Sequence, residues 1–317
     1  MTRFLALSLA VCTAAPAMAL TPEEINSATF DGAPLADGQT ALAVKTQVLL
    51  DRADISPGVV DGYKGGMVES ALKAFERREG LTVDGELDAE VWEALGAGSG
   101  APVAGTYTIT AADLEHVGGT LPEDYAKLAE LDRLGYESGA EALAEKFHMD
   151  EDFLVTMNPG ASFAEGETIT VVYPKADATG EVARILVQKA TGRLEALDAS
   201  GAVLGNYPVA VGSESTPSPS GKVEVNAVAV EPTYTYNPDV NFQQGDNDEV
   251  LTLPPGANGP VGLVWIDLSK PTYGIHGTPE PAKLFVSQSH GCVRMTNWDV
   301  QELAQMVTQG VSVEFIE

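Results

Sequence analysis

The sequence predicts a multidomain chain with a small three-helix N-terminal domain, an α+β middle module and a mostly-β C-terminal domain carrying a docked helix. Three observations predict it. The 317 residues exceed what a single core usually organises. Apolar residues recur at helical spacing up to Leu95, and beyond Val182 they alternate or run in short β-branched stretches. Between these regimes lies a Gly, Ala, Pro and Ser stretch at 96–105 with no periodicity, read as a linker.

Composition narrows the partners. With 46 acidic against 18 basic residues the formal net charge is −28, while 44% of residues are hydrophobic. Binding to nucleic acid or an anionic lipid surface depends on clustered lysine and arginine, so this balance argues against both. Simple solubility accounts for the acidity. Residues 1–19 read as a secretory signal: Arg3 starts it, an apolar run follows, and Ala17-Met18-Ala19 fits an A-x-A cleavage site. That run is too short to span a bilayer, and no other segment is long and apolar enough for a membrane span in the mature protein. Cys12 would leave with the signal, and Val11 before it is a poor lipoprotein residue. An exported protein would then keep Cys292 with no disulfide partner, which marks a thiol retained for reactivity.

Residues 20–40 read as a flexible lead-in rich in Ala, Gly, Pro and acidic residues. At 41–96 three short helices are expected. Val44 and Val48 mark the first, Val68, Ala71, Leu72 and Phe75 the second, and Val91, Trp92 and Leu95 the third, after an Asp88 cap. The loops Val60-Asp61-Gly62-Tyr63 and Gly80-Leu81-Thr82-Val83-Asp84-Gly85 separate them. With these loops the segment resembles a small peptidoglycan-binding domain; a helical spacer without a ligand is the alternative.

The middle module, 106–175, starts with a strand at Tyr107-Thr108-Ile109. Ala140, Leu143, Ala144 and Phe147 give one helical face, and Phe153, Leu154 and Met157 a second helix behind an Asp150 cap. Asn158-Pro159-Gly160 stops that helix, and 169–172 is a β-branched strand. The strand, helix, helix, strand order resembles a LysM glycan-binding module interrupted by an insertion at 118–136. His116 and His148 stand alone and read as surface or core histidines.

The C-terminal domain, 181–317, turns to strands. Ile185-Leu186-Val187 and Leu194-Glu195-Ala196-Leu197 flank Thr191-Gly192-Arg193, a hairpin signal, and Ser200-Gly201 marks another turn. A long Pro, Gly and Asn segment at 231–259 reads as a loop suited to binding, with Tyr234 and Tyr236 placed to line a cleft or pack beneath it. Strands at 262–266 and 274–276 follow. Thr296 with Asp299 makes a helix-capping pair before Val300, Leu303, Ala304 and Val307, and Gly310 is expected to end that helix. Val311, Val313 and Phe315 alternate as a closing strand.

The chemistry concentrates in Ile275-His276-Gly277-Thr278 and Ser289-His290-Gly291-Cys292-Val293-Arg294-Met295. A free thiol is only a few per cent thiolate near neutral pH, so Cys292 needs a base to act as a nucleophile. His276 and His290 are the candidates. The helix signal at Thr296 suggests that amides at a helix N-terminus could face the thiolate. Burial as a small hydrophobe, or zinc ligation by His276, His290 and Cys292, are the competing readings.

Taken together, His276 with Ser289-His290-Gly291-Cys292 and Arg294 resembles the signature of the L,D-transpeptidase catalytic domain, the YkuD domain, over about the last 135 residues. The resemblance implies a β-sandwich with a docked helix, acyl transfer on peptidoglycan, and no cofactor, whether metal, nucleotide or flavin. It makes Cys292 the acylated nucleophile and His276 the general base. His290 and Gly291 would shape the loop and the oxyanion site. Arg294, with Ser289, Gly277 and Thr278, would hold the substrate. The family often carries a glycine midway between the histidine and the serine, where this chain reads Lys283-Leu284-Phe285-Val286. A stem tetrapeptide would be the donor and a stem amine the acceptor, placing the protein in the periplasm or cell wall with a role in wall biogenesis and cell shape. Carbapenem β-lactams would acylate it. Resolution of the acyl-enzyme by water, giving an L,D-carboxypeptidase or cross-link hydrolase, stays open, as does a non-catalytic wall-binding protein.

Overall fold

The computed structural model describes residues 19–213, 216–240, 242–286, 289 and 291–317. The secretory segment at 1–19, with Cys12, therefore lies outside the described residues except for Ala19.

The lead-in carries regular structure. It holds helix α1 (Pro22–Ser27), opened by a capping box in which Thr21 and Glu24 satisfy each other's backbone amides, with Pro22 in the first turn. Ile25 on α1 is fully buried. Burial of an isoleucine contributes roughly 1.5–3 kcal/mol, enough to hold so short a helix against its neighbours. Helices α2 (Ala41–Arg52), α3 (Gly66–Glu79) and α4 (Ala89–Ala94) follow. The Asp88 side chain accepts from the Val91 amide at 2.8 Å, as a cap should.

The expected linker at 96–105 is tied down at its C-terminal end. Asn26 of α1 accepts from the amides of Val103 at 2.7 Å and Ala104 at 3.1 Å, and the Arg52 guanidinium donates to the Pro102 carbonyl at 2.8 Å. The segment leads straight into β1 (Ala104–Thr108). Its composition suggested freedom; long-range hydrogen bonds that no local pattern shows remove it at that end.

The middle module contains α5 (Tyr125–Leu128), α6 (Gly139–Lys146), α7 (Glu151–Met157) and β2 (Thr168–Val172), which pairs antiparallel with β1. Asn158 stops α7 and ties it to the sheet: its side chain donates to the Leu154 and Thr170 carbonyls and accepts from the Thr170 amide. One apolar cluster runs from Ile25 through Leu50, Phe75 and Phe153 to Val172, so the helical domain and the middle module share a core.

The C-terminal domain is built on an eight-stranded sheet. Its strands are β3 (Arg184–Gln188), β4 (Arg193–Leu197), β5 (Val203–Pro208), β6 (Gly221–Val230), β9 (Val264–Leu268), β10 (Gly274–His276), β11 (Val293–Arg294) and β12 (Ser312–Ile316). The strand order is β11-β10-β9-β6-β12-β3-β4-β5. Strand β6 pairs with β12 at its start and, past a register shift between Val225 and Ala227, with β9, so one long strand passes from one half of the sheet to the other. Helix α8 (Asn297–Met306) packs Val300 and Leu303 into the core against Ile185, Val264 and Val313. It ends at Met306 rather than at Gly310, which forms the turn before β12. The long segment at 231–259 is not wholly loop: it contains a hairpin, β7 (Tyr234–Tyr236) and β8 (Leu251–Leu253).

A buried polar seam joins the halves of the molecule. The Arg193 guanidinium, nearly inaccessible, donates to the Ser56 carbonyl at 3.0 Å and to Asn206, while Ser56 Oγ donates to Asp299 at 2.9 Å. The Lys175 ammonium bridges Asp54 and Glu302, whose carboxylate also accepts from Tyr207 at 2.7 Å. His148, held at a positive φ of 55°, stacks on Trp298 with ring centroids 5.2 Å apart. Buried pairs of this kind fix one relative placement more than they add net stability. His116 is exposed and His148 half-buried, and neither lines the cysteine's cavity.

Candidate active site

Strand β10 is flanked by β9 and β11, antiparallel to the first and parallel to the second, with Ile275 opposite Val293 and His276 opposite Arg294. The apolar residues Ile275 and Val293 are fully buried and anchor both strands. Cys292 therefore sits at the entry to one strand while His276 ends its neighbour. They line one cavity of about 430 Å³, together with Thr278, Ser289 and Arg294.

His276 is held in a defined state. Its Nδ1 lies 2.7 Å from the Gly277 carbonyl, which can only accept, so the proton is on Nδ1 and Nε2 is the free acceptor. The ring stacks on Trp265 at 5.6 Å. Burial pushes its pKa down to about 4, leaving the imidazole neutral at neutral pH. The Cys292 thiol is pushed up by burial, opposed by the Gly274 amide and by the Arg294 charge. Both shifts favour a neutral thiol beside a neutral imidazole.

The backbone around the thiol leaves little freedom. Gly291 has φ +117°, and a Cβ there would lie 2.8 Å from the Tyr273 ring. Its amide, expected to help form the oxyanion site, donates instead to Ser289 Oγ at 3.1 Å, while Ser218 donates to its carbonyl at 2.8 Å. Ser289 in turn donates through Oγ to the Cys292 carbonyl and through its amide to Val211 at 3.0 Å. Thus Ser289 faces the cavity and also staples the loop. Helix α8 begins only after β11, with Thr296 Oγ accepting from Asp299 at 3.1 Å, so its N-terminal amides serve the helix cap rather than the thiolate.

The other expected residues divide between the cavity and its frame. Arg294 lines the cavity; burial lowers its pKa and the Glu280 carboxylate supports its charge. Gly277 does not line it. It gives room to Asn297, whose Oδ1 would be 2.2 Å from a Cβ there. Thr278 is buried at the rim, accepting from the Glu280 amide at 3.3 Å. His290 lies outside the described residues. Of the two tyrosines expected in the long segment, Tyr234 lines the cavity while Tyr236 is buried beneath the hairpin.

The sequence reading missed Trp265, Thr216, Glu280 and Tyr125, all of which line the cavity. Trp265 was legible as part of a strand, one residue out of phase with buried Val264 and Ile266, but Tyr125 belongs to another module and carried no local signal. Among the described residues, no group of three or more His, Cys, Asp or Glu is placed to hold a metal.

Comparison with known proteins agrees with this construction. Residues 182–315 match the L,D-transpeptidase catalytic domain, YkuD, and residues 40–95 match a peptidoglycan binding domain. L,D-transpeptidase YkuD of Bacillus licheniformis is 30% identical over 176 residues, covering 55% of this chain and 90% of that protein. L,D-transpeptidase ErfK/SrfK of Escherichia coli is 26% identical over 187 residues, covering 56% of this chain and 59% of its own length. A solved L,D-transpeptidase 3 from Mycobacterium tuberculosis, in complex with a faropenem-derived adduct, is 15% identical. It covers 48% of this chain and 75% of that one with a TM-score of 0.36, an overlap too slight to bear on the assignment. On the catalytic-domain match and the relative covered almost from end to end, the chain belongs to the YkuD L,D-transpeptidase family, with a peptidoglycan-binding domain ahead of the catalytic one.

Proposed function

We propose that this protein cross-links peptidoglycan by cysteine acyl transfer, with Cys292 as nucleophile and His276 as general base. The carrying observation is that the thiol and the imidazole line one cavity while Nδ1 of His276 is committed to Gly277, leaving Nε2 to take a proton. In the first half-reaction Nε2 accepts the thiol proton as Sγ bonds to the carbonyl carbon of the third stem residue. The bond to the terminal D-alanine nitrogen breaks, and that nitrogen leaves with the proton from His276. In the second, a neighbouring stem amine bonds to the thioester carbon as its proton passes to His276, the C–S bond breaks, and His276 returns the proton to Sγ.

Arg294 attracts the developing thiolate and supplies a positive charge for an anionic stem. Ser289 and Gly291 fix the loop that presents the thiol. The middle module, with its strand, helix, helix, strand order and antiparallel strand pair, fits a LysM-like glycan binder. With the peptidoglycan-binding domain it would hold the enzyme on its insoluble substrate in the periplasm or cell wall, raising the effective concentration of stems. Carbapenem β-lactams would acylate Cys292 in the same way as a stem carbonyl.

The test is to incubate the protein with a tetrapeptide muropeptide and weigh the products. A cross-linked dimer supports transfer to an amine, a tripeptide would indicate transfer to water, and turnover surviving in Cys292→Ala would end the thiol reading.

A further inference from the structure

We infer that the insertion at 118–136 forms one wall of the catalytic cleft and that Tyr125 on it is a specificity-determining residue, contacting the peptide donor away from its reacting carbonyl. This rests on the proposed acyl transfer. Tyr125 lines the same cavity as Cys292, His276 and Arg294, although it belongs to the middle module.

The insertion is fastened to the catalytic domain's hairpin. The Tyr125 amide donates to Gln244 Oε1 at 3.2 Å, Gln244 Nε2 donates to the Glu123 carbonyl at 2.8 Å, and Asn247 Nδ2 donates to Asp124 at 3.0 Å. The Tyr125 ring meets Tyr236 edge to face at 5.3 Å and Phe242 at 6.1 Å. Leu128 and Leu134 share a buried cluster with Tyr236 and Leu253, and the Leu134 amide donates to the Pro255 carbonyl at 2.8 Å. A Cβ on Gly256 would lie 2.0 Å from the Leu134 carbonyl oxygen, so the two segments approach backbone to backbone. Insertion and hairpin thus form one body.

The cleft they complete has a mixed lining: His276, Ser289, Cys292 and Arg294 are polar and carry the chemistry, while Tyr125, Tyr234, Val240 and Phe242 add aromatic and apolar surface. Such a surface takes the aliphatic portions of an extended peptide, with aromatic rings supplying area at little cost in side-chain freedom. If Tyr125 contacts the peptide and not the reacting atoms, a small electrophile will meet the thiol independently of it.

The experiment uses the full chain. Kinetics of D-alanine release from a stem tetrapeptide are measured beside the rate of Cys292 alkylation by iodoacetamide, in wild type, Tyr125→Ala, Tyr125→Phe and Tyr125→Leu. Tyr125→Ala is expected to raise KM at least about fivefold while alkylation stays within about twofold, and Tyr125→Phe to restore KM. An unchanged KM in Tyr125→Ala, a Phe variant as impaired as the Ala variant, or alkylation changing in parallel with peptide turnover would overturn the inference. If Tyr125→Ala fails to fold by circular dichroism, Tyr125→Leu is held to the same criteria. A wild type without peptide turnover would overturn the proposed function and this inference together; an active wild type with an indifferent Tyr125→Ala would overturn the wall alone.

Discussion

The electrostatics of the pair predict how the thiol responds to pH. An ordinary free thiol is about 3% thiolate at pH 7. Burial leaves Cys292 with less than that, because desolvation outweighs the help from the Gly274 amide and Arg294. His276, with its pKa pushed down to about 4, is already neutral above about pH 5 and adds no titration step in the neutral range. Alkylation of Cys292 by a small reagent should therefore rise about tenfold per pH unit, roughly 100-fold from pH 6 to pH 8, with no plateau. A preformed thiolate–imidazolium pair would behave otherwise, its thiolate already populated and its rate nearly flat across those units. The assay is iodoacetamide labelling of the full chain at fixed ionic strength, followed by intact mass, with Cys292→Ala as the blank. Arg294→Ala should slow labelling at every pH by removing a charge that favours the thiolate. A flat rate from pH 6 to pH 8 would refute the neutral-pair reasoning, and with it the requirement that proton transfer to His276 accompany attack.

Other consequences reach stability as well as chemistry. Glu145, buried between Asn297 and Tyr136, has its carboxyl pKa pushed up to about 8 by desolvation, so the folded state holds a proton that the unfolded state releases above pH 4.5. Its contribution is full below that value and is lost as pH rises through about 8. Glu145→Gln should thus abolish about 3 kcal/mol of stability loss between pH 5 and pH 8, read as a difference between urea midpoints of variant and wild type; parallel pH profiles would count against it. Gly291→Ala forces a side chain onto φ +117° and against Tyr273, a strain of about 1–3 kcal/mol, and should lower both the melting temperature and thioester formation at Cys292. Glu302→Ala strips the buried Lys175 ammonium and the Tyr207 hydroxyl of a shared partner, and a loss of about 3–5 kcal/mol in denaturant unfolding is expected.

Local sequence determined the elements that depend only on neighbours a few residues away. The helical stripe of Val68, Ala71, Leu72 and Phe75, the caps at Asp88, Asp150 and Thr296, and the turn at Gly192 each set their own geometry, because capping and apolar periodicity act over a single turn. The spacing of His276 and Cys292 pointed to their chemistry for a related reason: two neighbouring strands bring them to one cavity. Tertiary structure decided the rest. Whether 20–40 and 96–105 are free or fixed depended on Ile25, Asn26 and Arg52 finding partners far along the chain, and composition carries no record of such pairings. Whether the thiol rests as thiolate depended on how deeply it and His276 are desolvated, and that is a property of the packed cleft. Tyr125 reached the catalytic cavity through a contact between modules more than 100 residues apart, a juxtaposition that only the folded chain creates.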